Sequence, residues 1–125
     1  MAANIYAAWI AILAGIIAGA VSGTFFHDEQ FLGGYDSWSR RLTRLGHIAF
    51  FGLGLINLCF ALTAKVMAIQ TGLAVSSVLL IISVIAMPLV CYLAAFRKYF
   101  RHLFVIPVLT ALAGVALFVW RLVTL

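Results

Sequence analysis

The sequence predicts an all-α polytopic membrane protein, a four-transmembrane-helix up-down bundle with both termini outside. Three observations predict it. Hydrophobic residues make up 66% of the 125 residues and charged residues only 9%, whereas soluble domains hold about 45–50% apolar and about 25% charged residues. A chain this short has too much surface for its volume to hide so much apolar area from water. The apolar residues fall into four runs, at 5–26, 45–64, 72–96 and 103–120, each near the ~20 residues that cross a bilayer core. Six of the eight Lys and Arg then fall in two of the joints between runs. One domain, 1–125, accounts for the whole pattern.

The first run carries no charge. It lacks the basic flank of a secretion signal and is too long for one, so it reads as a permanent span. Ala7, Ala11, Gly15, Gly19 and Gly23 recur at every fourth position and form one small-residue ridge. Lipid tails give helices no hydrophobic reason to associate, so close backbone approach must supply it. The ridge is therefore a packing interface first, against another span, a second copy or another membrane subunit. Room for a flat cofactor is the sharper alternative.

Residues 27–44 form the long polar loop. Gly33-Gly34 lets it turn, and Asp36 or Ser37 is placed to cap a helix starting at Trp38. Tyr35 and Trp38 suit the headgroup layer. His27-Asp28-Glu29 offers metal-ligand chemistry, but three adjacent residues seldom converge on one ion, and a solvated loop start accounts for them.

The second run places Asn57 near mid-bilayer, where an amide bonds a neighbouring helix. Ser83 on the third run is the expected partner. Pro88 and Pro107 each remove a backbone donor, and kinks are expected near both. The third and fourth runs are joined by the basic turn 97–102.

Four crossings put the long loop and the basic turn on one side, with Arg40, Arg41, Arg44, Arg97, Lys98 and Arg101. Lys65 and Arg121 lie on the other. The positive-inside rule makes the six-charge side cytoplasmic, and the setting a bacterial inner membrane. The net charge of +5 thus speaks for anionic headgroups, with no nucleic acid as partner. Cys59 and Cys91 are not spaced as a redox or metal pair and read as free, buried thiols.

Chemistry is confined to that cytoplasmic rim. His47 lies just inside the second run and His102 opens the fourth. If they face each other across the bundle, two imidazoles suit the two axial positions of a haem b iron. Arg44 and Arg101 suit its propionates, and Gly54, two turns beyond His47, leaves room for the ring. A quinone headgroup calls for similar residues. The plain alternative is that His and Arg near span ends wet their polar tips and set topology.

In size and in paired histidines on separate helices the chain resembles the small four-helix cytochrome b anchors of respiratory enzymes, without a motif that transfers particular residues. That resemblance implies a small membrane subunit of an electron-transfer complex; on packing grounds Ala11, Gly15, Gly19, Gly23 and Asn57 are the residues that would stabilise it. No catalytic motif points to an activity of its own. A small oligomeric transporter is the competing class, but the four runs contain no Asp or Glu to relay protons. A structural or assembly factor without cofactor is the third.

Overall fold

In the computed structural model, which describes residues 1–124, the chain is all-helical, with no strand among the described residues. Helix α1 spans Ala2–Gly23, α2 Trp38–Val66, α3 Ala74–Phe96 and α4 Val105–Val123, with 3-10 turns at Phe31–Gly33 and Lys98–Phe104. All four are long and apolar enough to cross a membrane, α4 together with the 3-10 stretch before it.

Helix ends follow capping chemistry more closely than hydropathy. The second helix starts seven residues before its apolar run, because the Ser37 hydroxyl accepts the Arg40 N–H at 3.1 Å. At 29 residues and about 1.5 Å per residue, α2 outruns a bilayer core of about 30 Å by about two turns. Its surplus is the polar stretch Trp38–Arg44. At its other end Ala68 adopts φ 53° and the Ile69 N–H returns to the Ala64 carbonyl at 2.9 Å. This left-handed terminus turns Ile69 into a core with Phe60, Leu73, Leu80 and Phe118. Pro107 proves to be the third residue of α4, where the 3-10 stretch passes into α-helix. Helix α3 continues through Pro88.

Helices α2 and α3 form the centre, with α1 laid along α2 and α4 along α3. Contact positions in α1 and α2 run in opposite sequence order. Asn4 meets Asn57, the Ala8 carbonyl approaches Gly54, Gly15 lies under Phe50 and Phe51, and Gly19 lies under His47. At the Asn4 end, Arg121 of α4 bonds the Thr71 carbonyl. At the other end, the Trp38 indole and the Ser39 hydroxyl bond the Ala94 and Ala95 carbonyls. This second end carries the arginines of α2 and will be called the basic end.

The small-residue ridge of α1 is therefore spent inside the chain. A Cβ on Gly54 would come 3.2 Å from the Ala8 carbonyl oxygen, and one on Gly15 2.9 Å from the Phe51 ring. Gly23 touches nothing. Outward, α1 shows Trp9, Ile10, Leu13, Ile16 and Ile17, each more than half exposed, an apolar face suited to a membrane and not to water.

One polar network ties three helices. The Asn4 amide donates to the Asn57 side-chain oxygen at 2.9 Å and to the Ser77 carbonyl at 3.2 Å. The Ser77 hydroxyl donates to the Asn4 oxygen at 2.5 Å, and the Asn57 amide donates to the Leu53 and Leu80 carbonyls, both at 3.0 Å. Both asparagines are fully buried. Ser83, the partner expected for Asn57, instead bonds the Leu80 carbonyl of its own helix at 2.8 Å.

Asn4→Leu removes the hub while keeping its bulk, and leaves Asn57 and Ser77 short of a partner. The expected loss is about 1–2 kcal/mol, read as a lower unfolding midpoint of the solubilised protein. Thr110→Val, whose hydroxyl bonds only its own helix, should stay within about 0.5 kcal/mol; equal midpoints for the two variants would refute the hub.

Candidate functional site

Where α1 and α2 diverge at the basic end, they enclose a pocket of about 80 Å³. Helix α1 contributes Gly19, Ser22 and Phe26, the connecting loop Phe31 and Leu32, and α2 Arg40, Thr43, Arg44 and His47. The spacing 40, 44, 47 is one face of a helix, so two guanidiniums and an imidazole line one wall by helix geometry alone.

The loop is a structured cover. Phe25 stacks on Phe31 with ring centroids 4.8 Å apart, the Asp28 carboxylate accepts the Gln30 N–H at 2.9 Å, and the Ser37 hydroxyl bonds the Leu32 carbonyl at 2.7 Å. Leu32, Gly33 and Gly34 all have positive φ, at 56°, 88° and 94°. The glycines adopt this at no steric cost; the leucine does not.

Arg40 is buried, 7% exposed. It donates one hydrogen bond, to the Glu29 carbonyl at 3.2 Å. Arg44 stacks on the Tyr35 ring, its guanidinium carbon 4.1 Å from the centroid, and donates a long 3.4 Å bond to the Tyr35 carbonyl. Its Nη1 is buried and meets no partner. Among the described residues neither guanidinium bonds a carboxylate; both hold only backbone carbonyls. The Thr43 hydroxyl is committed to the Ser39 carbonyl at 2.9 Å.

His47 sits against α1. A Cβ on Gly19 would lie 2.5 Å from its Nε2, so only glycine admits the ring, and Phe51 meets it edge-on at 5.4 Å. His102 is elsewhere. It is exposed on the 3-10 stretch, with its ring 6.2 Å from that of Tyr99. That stretch packs through Phe100 and Phe104 around Leu42, and five residues along a helix turn that side of α2 about 140° from His47. His47 is thus seated against α1, whereas His102 lies exposed on the 3-10 stretch. Gly54 faces α1, where a Cβ would meet the Ala8 carbonyl oxygen at 3.2 Å. Arg101 is exposed beside His102 and does not reach the pocket. Asn57 and the ridge residues Ala11, Gly15 and Gly19 lie in the α1–α2 packing.

Among the described residues no three His, Cys, Asp or Glu converge on one point, so His27-Asp28-Glu29 has no further ligand. Cys59 and Cys91 are free, with Cys91 buried and Cys59 exposed. A wider apolar groove of about 690 Å³ opens between α1 and α3, lined by residues such as Ala7, Ile10, Ala14, Phe50, Ile85 and Tyr92; no charged group or imidazole faces it. Arg40 was absent from the residues expected to form a site, and the signal that would have found it is its position one turn before Arg44. Comparison with known protein families, curated proteins and solved structures yields no match.

Gly19→Ala is expected to push the His47 ring out of its seat. In protein labelled at histidine, the His47 ring resonances should move while those of His102 stay. A shift of both, or of neither, would contradict the seating.

Proposed function

We propose that the chain is an up-down four-span protein of a bacterial inner membrane, with both termini outside and the basic end cytoplasmic. Its role is that of a small, non-catalytic membrane subunit that recognises an anionic group at the cytoplasmic rim through Arg40, Arg44 and His47. The orientation rests on the six-to-two division of basic residues between the two ends. The observation that carries the recognition role is the convergence of two guanidiniums in one covered pocket with no carboxylate on either.

Two like charges in a poorly solvated space repel, and an unmet donor costs about 1–3 kcal/mol. An arrangement kept only for stability would place an acid there. One kept for a ligand leaves the acid out, so that the ligand supplies the charge. A quinone headgroup finds donors in the same pocket, but being neutral it leaves both charges uncompensated. An anion satisfies both demands. Where the subunit belongs to an electron-transfer complex, the rim pocket is its contact with an anionic lipid or ligand of that complex.

Two measurements test this. With Cys59 and Cys91 replaced by Ala, a cysteine introduced as Gln30→Cys should react with an impermeant maleimide only from the cytoplasmic side, and Thr71→Cys only from outside; the reverse would overturn the orientation. In neutral detergent, Arg44→Gln should leave the unfolding free energy unchanged or raise it by up to about 1 kcal/mol, as relief of functional strain does. A loss of 1–3 kcal/mol would mark Arg44 as a structural residue and remove the recognition role.

A further inference from the structure

We propose that the group recognised at the basic-end pocket is a phosphate, which narrows the anion recognition proposed above and rests on it. The donor inventory favours phosphate over carboxylate. Each guanidinium carries five N–H donors in a planar fork. Arg40 spends one on the Glu29 carbonyl, Arg44 one on the Tyr35 carbonyl, and Arg44 Nη1 is unspent. A carboxylate has two coplanar oxygens and engages one fork fully, leaving the second short. A phosphate presents three or more oxygens on a tetrahedron, which meet two forks from different directions and still leave one for the Ser22 hydroxyl or the His47 ring on the same lining.

Size points the same way. The pocket is about 80 Å³, roughly half the ~150 Å³ cavity that accepts a benzene ring. It takes a compact oxyanion and excludes a nucleoside or sugar ring. The loop's acids do not fill the role from within, and Asp36 is exposed and off the pocket lining. The Asp28 carboxylate is engaged with the Gln30 N–H, and Glu29 reaches Arg40 through its carbonyl. Phe26, Phe31 and Leu32 form the apolar part of the lining, and Phe26 is 62% exposed. A phosphate carried on a lipid can therefore enter with its chains against apolar surface, and a free phosphate can enter from the aqueous side.

The test uses the full chain in nanodiscs of zwitterionic phosphatidylcholine, with three probes. The first is phosphatidic acid doped into the disc, read as lipid retained over phosphatidylcholine in native mass spectrometry. The second is inorganic phosphate in solution, read by broadening of its phosphorus resonance. The third is oleate, a carboxylate on a chain, read like the first. At least one phosphate probe should bind the wild type, and its affinity should fall at least tenfold in Arg44→Gln and in Arg40→Gln. Arg121→Gln, at the opposite end, should leave it unchanged. A normal helical circular-dichroism spectrum for Arg44→Gln keeps the result interpretable if the buried Arg40→Gln variant fails to fold.

Phosphatidic acid binding alone assigns a lipid-borne phosphate, and binding of inorganic phosphate as well assigns the free ion. Oleate binding as tightly as either phosphate overturns the phosphate assignment while anion recognition stands. Binding of none of the three overturns both. Phosphate retained equally by wild type and both arginine variants also overturns the assignment, and places the contact on the exposed cations of the 97–101 turn.

Discussion

Two asparagines and a serine, with no water to turn to, hold α1, α2 and α3 in one register, and the rest of the molecule follows from that register. Inside lipid an unsatisfied amide is costly, so Asn4, Asn57 and Ser77 have to find one another. Apolar contacts alone would not choose among neighbouring alignments, since a slide of α1 along α2 exchanges one alkyl side chain for another. A slip of one residue turns α1 by about 100° and breaks the network. Once Asn4 is opposite Asn57, Gly54 falls opposite the Ala8 carbonyl, and Gly15 and Gly19 fall beneath Phe51 and His47. The network at one end thus fixes which α1 residue faces His47 at the other.

The same register explains why the helices part where they do. Ala8, Ala11 and Gly15 let α1 approach α2 closely. At Gly19 the missing side chain is already filled by an imidazole, and at Gly23 nothing is in reach. Past that point the α2 face carries Arg44 and Arg40, whose long side chains cannot pack like Gly or Ala. Divergence follows from side-chain volume, and the space it opens is the pocket. A packing motif that brings two helices together in mid-membrane therefore creates a polar cleft at the rim, where cations can keep their heads near water.

The class of fold was legible because lipid imposes a composition that no soluble domain shares. Helix ends were less so. Hydropathy counts apolar residues, whereas Ser37 starts α2 seven residues earlier by accepting a hydrogen bond. Asn57 was recognisable as a polar tie, but its partner was not, since sequence gives depth along a helix without saying which neighbour faces it. Asn4 lay outside the run counted from residue 5, and of the α3 serines the one at 77 meets α1 while Ser83 bonds its own helix. The same holds for the histidines: both sit near the basic end, but only the structure shows that His47 is seated against α1 while His102 is exposed on the 3-10 stretch. The productive signal was the one-helix spacing of Arg40, Arg44 and His47, where a single periodicity fixes both depth and direction.

What sets this arginine pair apart from ordinary interfacial cations is its cover. Arg41, Arg97 and Arg101 are exposed, and water screens whatever they meet. Arg40 and Arg44 lie beneath a loop closed by the Phe25–Phe31 stack and by the Ser37–Leu32 bond. The closure costs something, since a leucine at φ 56° is strained by roughly 1–2 kcal/mol. A non-glycine residue persists there only where its surroundings over-determine it. The neighbouring glycines could have carried the whole turn, yet the chain places an apolar side chain at the strained position, and that side chain lines the pocket. Excluding water lowers the local dielectric, which strengthens attraction to an anion and equally strengthens the repulsion between the two guanidiniums when none is bound. A covered pair of cations is therefore far more sensitive to a negative partner than an open pair, and the strained leucine belongs to the cover that makes it so.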